Sequence, residues 1–344
     1  MIVRHSSARE VLFDSNTFAA DFRRAGESIP DSAVSIQVQD PPEHDVIRRR
    51  LAAGYRVSDR SLNTERIRSI VERHLSSVAT IGTMDFVADI IEPVAHQVIT
   101  ELLGLRTLSL TELRSCSDSI VNAMDSGLRP EAHEPGIRAR DHLTEVIRRP
   151  YITPSGDGLI SWCRGDQELA ELPTPVIVNT LRAMLHAGYS PVSKLLGNAL
   201  VSLLRAPEAF AFASEDEELT WDLELVRHAT PVHAVSRLAT TSVSVEGTAI
   251  ARGESVVVLV AGANRDPDVF EKPHQLRPER DANAALSFGT GIHYCPGASL
   301  GRRVLRVMMF DIANRFPRAR LLQQPVPCAN AVLRGYEAIP VRLS

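Results

Sequence analysis

Apolar residues recur with helical spacing through most of the chain up to about Pro207. The clearest such stretches run from Arg66 to Ile81, from Met84 to Leu105 and from Asp141 to Arg149, and this period predicts helices that bury one face. The stretch from Ser126 to Ile137 carries two glycines and two prolines. These residues predict a loop between helices.

The longest predicted helix runs from Thr174 to about Leu204. Its first residue is a suitable N-cap, Pro175 suits the first helical position, and Pro207 follows the end. At 1.5 Å per residue, such a helix is roughly 45 Å long and crosses a whole domain. Gly188 and Pro191 interrupt its interior, so we expect the helix to bend or open there.

The pattern changes after Pro231. Thr241 to Val245 and Ser255 to Val260 have strand-like composition and are separated by glycine turn signals. An irregular passage from Asn264 to Ser287 follows, and helical spacing returns from about Ala298 to Phe316. Helices dominate and the predicted strands are few, which indicates a mainly α fold with a small β region.

Composition narrows the function classes. The chain has 344 residues, 44% of them hydrophobic, and a formal net charge of -4. A nucleic-acid binder would normally show a basic balance, so we expect none of that activity. The four cysteines form no C-x-x-C pair, which argues against zinc or disulfides and favours a reducing cytosol. With no long apolar run in the sequence, we expect a cytoplasmic protein without a membrane segment.

The segment from Phe288 to Gly297 carries the strongest chemical signal. It reads F-G-T-G-I-H-Y-C-P-G, and its glycines permit unusual backbone angles and close approach to a flat ligand. Cys295 lies just before a predicted helix, where amide groups and the helix dipole stabilise a thiolate. A glycine-rich turn with an inert cysteine is the alternative, but the complete spaced set favours the reactive thiolate.

This segment closely resembles the haem-binding loop of the cytochrome P450 family, F-G-x-G-x-H-x-C-x-G. Other family segments follow in the family's order. They are Asp40-Pro41-Pro42-Glu43-His44 with Arg48, Glu224-Leu225-Val226-Arg227, Pro231 to Arg237, and Ala263-Asn264-Arg265-Asp266-Pro267. The resemblance implies a single cytochrome P450 domain over residues 1–344. Its helix-rich body would cover about 40–235, its small β region about 236–262 and its haem-thiolate loop 288–297.

The resemblance also implies a haem b cofactor and a role for each matching residue. Cys295 would be the axial ligand of the iron, donating electron density to it. The other implied haem-binding residues are His44, Arg48, Arg237, Phe288, Gly291, His293 and Gly297. The propionates would be bound by the basic residues of this set. Glu224 and Arg227 would form a buried pair that braces the loop, with Gln275 a weaker third member and Arg280 a possible substitute.

The long helix departs from the family. Members show A-G-x-[D/E]-T there, an acid and an alcohol that help deliver protons during oxygen activation, whereas this chain has Ala187-Gly188-Tyr189-Ser190-Pro191. Gly188 would keep the oxygen groove. The proton would come from Ser190 acting as a relay through water, or from the substrate itself.

The beginning of the chain differs as well. The segment from Val3 to Leu12 resembles one that lies further into family chains, so the usual N-terminal helix and first strands are expected to be absent. The strand from Ser255 to Val260 would then have an exposed edge through which the protein could self-associate.

The resemblance implies a monooxygenase that oxidises a small organic substrate of secondary metabolism, with O2 and electrons from a ferredoxin and its reductase. Arg302, Arg303 and Arg306 either meet an acidic ferredoxin or form a solvated helix face. Two alternatives stay open. One is oxidative coupling, cyclisation or peroxide-driven catalysis, which needs the acid and threonine less. The other is a non-catalytic haem-protein partner of a biosynthetic enzyme, against which the retained Cys295 argues.

Overall fold

The computed structural model describes residues 1–78, 82–153, 156–216 and 220–343. The helices are α1 His5–Phe13, α2 Glu43–Asp59, α3 Thr64–Val78, α4 Glu92–Leu103, α5 Leu110–Met124, α6 His133–Ile152, α7 Leu159–Gly165, α8 Gln167–Ala170, α9 Thr174–Leu204, α10 Pro207–Glu215, α11 Asp222–His228, α12 Val260–Ala263 and α13 Ala298–Arg315. The strands are β1 Phe18–Ala19, β2 Thr83–Asp85, β3 Val235–Ala239, β4 Val243–Val245, β5 Thr248–Ile250, β6 Ser255–Val258, β7 Arg320–Leu321, β8 Val326–Pro327, β9 Tyr336–Ala338 and β10 Pro340–Arg342. The predicted mainly α fold is confirmed.

Helix α9 is the central element, and it packs against α4, α6, α11 and α13. Its bounds agree with the predicted ones. Most of its side chains are buried, which explains why apolar residues occur on all its faces. Among the described residues no single helix is long and apolar enough to cross a membrane; by length and composition only the bent pair of α9 and α10 qualifies, with 111° between its members.

The prediction that Gly188 and Pro191 open α9 is wrong, because the helix is continuous from Thr174 to Leu204; the bend stays a prediction. A Cβ atom at Gly188 would lie 2.3 Å from Cδ1 of Ile99 in α4, so the glycine permits close helix packing. Pro191 removes one backbone hydrogen bond. The packing of the neighbouring helices on α9 outweighs that local cost.

The other helix predictions hold with shifted ends. The predicted loop from Ser126 to Ile137 is partly wrong, because α6 already begins at His133. A Cβ at Gly136 would lie 2.2 Å from Cβ of Ala123, so this glycine serves the α5–α6 contact. Helix α3 ends at Val78, and the last residues of its predicted range, 79–81, lie outside the described residues. The stretch predicted from Met84 to Leu105 starts in β2 and continues through a π-helical turn into α4.

Strands from distant parts of the chain form small sheets. One sheet has the order β1-β3-β6 and another the order β2-β10-β7, while β4–β5 and β8–β9 are two-stranded. The strand predicted from Ser255 to Val260 ends at Val258, because Val260 begins α12. Strand β6 lies at the edge of its sheet, as predicted, but Ile2 forms a parallel bridge with Val258 and covers one end of it.

Candidate active site

The loop before α13 has a conformation that only its glycines allow without strain. Gly289 and Gly291 have φ angles of 71° and 68°, in the left-handed region that other residues avoid. A Cβ at Gly291 would also lie 3.2 Å from the Cα and carbonyl oxygen of Phe13. The amide of Cys295 donates to the carbonyl oxygen of Phe288 at 2.8 Å. The loop therefore folds back on itself and presents Cys295 at the start of the helix.

Two backbone amides favour the thiolate form of Cys295 against its burial. Burial is the larger effect and raises the pKa of the thiol above its ordinary value, while hydrogen bonds from the amides of Gly297 and Ala298 and the charge of Arg48 partly offset it. The two amides belong to the first turn of α13, whose dipole also favours an anion. A cation at the thiol would add to these effects, because metal binding removes the thiol proton outright.

The predicted propionate-binding residues lie close to one another. The rings of His44 and His293 pack edge to face with centroids 4.8 Å apart. Arg48 donates from Nη2 to the carbonyl oxygen of Tyr294 at 2.6 Å, beside the cysteine. Arg237 extends from β3, and burial lowers the pKa of its guanidinium. The structure thus brings basic groups from α2, β3 and the loop to one side of Cys295.

Two residues of this cluster were missed by the sequence reasoning. Asp40 is buried and accepts hydrogen bonds from the amide of Asp21 at 3.1 Å, from Arg24 at 3.1 Å and from His293 at 3.1 Å. Burial alone would raise the pKa of Asp40, but these donors lower it to about 2. Asp40 is the first residue of the Asp40–His44 motif, and the motif alone indicated no role for it. Arg24 gave no signal, because its contact is formed only by the fold.

These residues fit a haem group. In the described part of the chain, neither Arg48 nor Arg237 forms an ion pair with a carboxylate, although both guanidinium groups are partly buried. Such groups need anionic partners, which two propionates would supply. The loop residues from Phe288 to Cys295 are half-buried apart from exposed Tyr294, as expected for a wall beside a ligand. Family membership implies the haem-thiolate cofactor itself.

The predicted Glu224–Arg227 brace is confirmed as a buried pair. Both side chains are fully buried, with Nε of Arg227 2.6 Å from Oε2 of Glu224. Arg280 donates to Oε1 of Glu224 at 3.1 Å, so it takes the place of the third member. Gln275 contributes only its carbonyl oxygen, 3.5 Å from Arg227. Arg227 also donates to the carbonyl of Asn264 at 2.8 Å.

A second buried network fixes the irregular segment that leads into the loop. Nδ2 of Asn264 donates to the hydroxyls of Thr230 at 2.8 Å and Ser287 at 2.9 Å, and its Oδ1 accepts from the amide of Leu286 at 2.7 Å. Sequence reasoning quoted Asn264 in a motif without assigning this role. Its partners come from two separate segments, one at Thr230 and one at Leu286 and Ser287, which only the fold brings together.

The segment from Ala187 to Pro191, where the family has its acid and alcohol, is called the oxygen-side segment. It lies in the middle of α9. Ser190 is 3% exposed, and in the described chain its hydroxyl has no hydrogen-bond partner. In the next turn of the helix, the hydroxyl of Ser193 donates to the carbonyl oxygen of Tyr189 at 2.8 Å. Gly188 packs against Ile99. A glycine is therefore needed here for helix packing, in addition to its expected role in the oxygen groove.

The arginines after the loop are paired within the chain. Arg302 donates to both oxygens of Asp222 at 2.8 Å, and Arg303 donates to Asp59 at 2.9 Å. Arg306 approaches Asp222 at 3.7 Å. Carboxylates of the chain itself thus neutralise charges that we expected to meet either an acidic partner or solvent.

Comparisons with known proteins decide the family. The model of the family described as Cytochrome P450 matches residues 223–329. Putative cytochrome P450 140 of Mycobacterium tuberculosis is 30% identical over 90% of this chain and 73% of its own length. The chain belongs to the cytochrome P450 family. It is also similar to 6-deoxyerythronolide B hydroxylase of Saccharopolyspora erythraea, at 29% identity over 90% of this chain and 78% of that protein.

Solved structures agree with this membership. The cytochrome P450 PksS of the Bacillus subtilis bacillaene polyketide synthase superimposes with a TM-score of 0.88, at 25% identity, over all of this chain and 90% of the other. The fold is therefore the cytochrome P450 fold, and the protein is an oxidoreductase of the monooxygenase type. Its relatives include bacterial P450s of secondary metabolism.

Proposed function

We propose that this P450 inserts oxygen into a small secondary metabolite, using haem b and electrons delivered by a ferredoxin and its reductase. In this reaction one atom of O2 enters the substrate and the other leaves as water, with two electrons from NADPH. The observation that carries the proposal is Cys295, held at the first turn of α13 with the amides of Gly297 and Ala298 directed at its sulfur. The hydroxylase similarity supports the substrate class.

Each candidate residue has a distinct part in holding the cofactor. Cys295 is the proposed iron ligand, and Phe288, Gly291 and Gly297 shape the loop around it. The bound haem supplies the oxygen-activating chemistry. We assign the propionates to a separate set of basic side chains, His44, Arg48, Arg237 and His293. These side chains lie together, and Asp40 orients His293 by a 3.1 Å hydrogen bond.

The oxygen-side segment of α9 controls proton delivery. Pro191 has no amide hydrogen, so the carbonyl of Ala187 loses its usual donor four residues on. The buried hydroxyl of Ser190 is available to pass a proton through water, because in the described chain it bonds to no other group. Gly188 has no side chain and so leaves room beside this part of the helix. We therefore assign Ser190 as a relay and the segment around Gly188 as the oxygen groove.

A second candidate function rests on the same segment. Oxidative coupling, ring closure or a peroxide-driven reaction depends less on an acid and an alcohol, and this chain has Ser190 and Pro191 in their place. The two candidates differ in the fate of oxygen. Monooxygenation leaves one labelled atom in the product, whereas coupling leaves none.

The test starts from a substrate search. Purified protein is titrated with polyketide lactones and other bacterial metabolites, and a shift of the haem absorption band identifies binders. Each binder is then incubated with NADPH, ferredoxin, its reductase and isotopically labelled O2. The proposal predicts a product carrying one labelled oxygen. A coupled product without label would support the second candidate, and turnover driven by peroxide alone would remove the need for ferredoxin.

A further inference from the structure

Buried polar side chains form a stripe along α9 that the family motifs do not explain. Arg182, His186 and Ser190 are spaced four residues apart, so they lie on one side of the helix. They are 6%, 8% and 3% exposed. Helices α5 and α6 present the hydroxyls of Ser117 and Thr144 to the first two of them. The stripe therefore leads from the α5–α6 side of α9 to the oxygen-side segment.

Arg182 has no charged partner in the described chain. Its Nη1 donates to the carbonyl oxygen of Ser32 at 2.9 Å and to Oγ1 of Thr144 at 3.1 Å, and both acceptors are neutral. Its Nε and Nη2 have no acceptor among the described residues. Burial lowers the pKa of this guanidinium to about 10; the nearby charge of Arg140 adds to the effect, and the carboxylate of Asp141 opposes it. A buried cation without an anion is costly, so a ligand anion would be strongly favoured here.

His186 is the second unsatisfied group of the stripe. Its Nδ1 is 3.4 Å from the hydroxyl of Ser117, while its buried Nε2 has no partner in the described chain. Burial lowers the pKa of His186 to about 4, and the cations Lys194, Arg140 and Arg182 lower it further. The surroundings of His186 are therefore positively charged, and its ring has an open hydrogen-bonding position.

We infer that Arg182 and His186 bind a carboxylate group of the substrate. The planar guanidinium can donate from Nε and Nη2 to both oxygens of a carboxylate, and the imidazole can donate to one of them. This inference rests on the proposed function, because the ligand is the molecule that the P450 oxidises. It adds to that function a substrate class: an organic acid with an apolar body.

The spacing of the stripe also limits the substrate's length. Along the helix axis, Ser190 lies about 12 Å from Arg182 and about 6 Å from His186, at 1.5 Å per residue. A substrate held by its carboxylate would place carbons at that distance near the oxygen-side segment. We therefore expect oxidation several carbons away from the carboxylate rather than next to it.

The charge of the outer surface indicates from which side the carboxylate arrives. A cleft between residues 31–32, α6 and α9 includes Ser32 and Thr144, the two acceptors of Arg182. Its rim carries the exposed carboxylates of Asp31, Asp141 and Glu145, which repel an anion. We therefore place the carboxylate on the side of Arg182 that faces away from this cleft.

The experiment compares decanoate with decan-1-ol, two probes of equal chain length that differ in charge. Binding to the haem-loaded protein is measured by calorimetry and by the shift of the haem absorption band. We expect the wild type to bind decanoate about tenfold or more tightly than the alcohol, as charge-assisted bonds to a buried arginine require. Arg182→Gln should reduce this preference to less than about twofold, and His186→Gln should reduce it in part.

Two further variants keep the result decisive. Arg182→Lys retains the charge and should keep part of the preference if Arg182→Gln fails to fold. Arg148→Gln removes an arginine of the outer cleft and should leave the preference unchanged. Equal binding of both probes by the wild type, or an unchanged preference in Arg182→Gln, would overturn the inference. Failure of the proposed function is distinguishable, because the thiolate-type haem spectrum would then be missing while calorimetry still detected the decanoate preference.

Discussion

The haem-thiolate loop with its Glu224–Arg227 brace, here the thiolate side, and the middle of α9, here the oxygen side, differ in how closely they keep the family pattern. The loop from Phe288 to Gly297 fills every fixed position, and its brace, Glu224 with Arg227, is fully buried. The segment from Ala187 to Pro191 instead replaces both members of the acid–alcohol pair. One chain therefore keeps the complete ligand-loop motif of the family while the residues expected to deliver the proton are replaced.

The largest effect is expected on the thiolate side. Glu224→Ala leaves Arg227 and Arg280 without their carboxylate in the interior, which should cost on the order of 3–5 kcal/mol of stability. We expect poorly soluble protein with little bound haem, measured by denaturant unfolding and haem content. Glu279→Ala is the matched control, because it removes an exposed partner of Arg277 and should change neither quantity. Normal haem content in Glu224→Ala would show that the brace is dispensable.

The oxygen side should respond in catalysis rather than in stability. Positioned acid–base groups contribute about 10²–10⁴-fold in rate, so Ser190→Ala should lower the product formed per NADPH while substrate affinity stays nearly the same. The double change Ser190→Glu with Pro191→Thr should shift the division between product and peroxide. Product, peroxide and NADPH are measured together in the ferredoxin-supported reaction. Unchanged coupling in both variants would show that α9 does not control proton delivery.

His186 should make the stability of the oxygen side depend on pH. Its folded-state pKa, about 4, lies below the ordinary value of 6.5, so the unfolded chain binds the proton first. The contribution is fully present above pH 6.5 and is lost as the pH falls towards 4, by up to about 3 kcal/mol. His186→Gln should flatten the unfolding free energy in this window, whereas His133→Gln, at an exposed position, should keep the wild-type slope. An equal slope in all three proteins would contradict the burial of a neutral imidazole.

The smallest effect concerns the sheet that carries Arg237 on the thiolate side. Strand β6 is an edge strand covered at one end by Ile2, so we expect weak self-association at high concentration. Ser255→Lys should suppress it, because a charge on an edge strand opposes pairing with a second copy. Light scattering over a concentration series measures the effect. A monomer at all concentrations in the wild type would remove this edge as an interface.

Sequence reasoning succeeded where a local pattern or a family motif carries the information. The bounds of α9 follow from its apolar residues and the proline near its start, although its N-cap is Pro173 and not the predicted Thr174. The buried Glu224–Arg227 pair follows from its motif. It failed where distant contacts decide. Pro191 is tolerated inside α9, against which neighbouring helices pack, and Gly136 lets α6 begin early by fitting against Ala123.

The missed site residues have the same cause. Arg24 and Asp40 are 16 residues apart and meet only in the folded chain. Nothing in the sequence shows that Arg182 forms no ion pair with a carboxylate among the described residues. The partner of a buried charged side chain depends on which distant parts of the chain pack together, and local sequence patterns do not show this.

The most direct test of the whole account is the absorption spectrum of the reduced protein under carbon monoxide, for the wild type and for Cys295→Ser. We predict a thiolate-type Soret band in the wild type, because the amides of Gly297 and Ala298 hold Cys295 as the iron ligand, and its complete loss in Cys295→Ser even if haem is retained. Cys163→Ser, which changes another buried cysteine, should keep the band. A histidine-type spectrum in the wild type, or a thiolate band that survives in Cys295→Ser, would contradict the central claim.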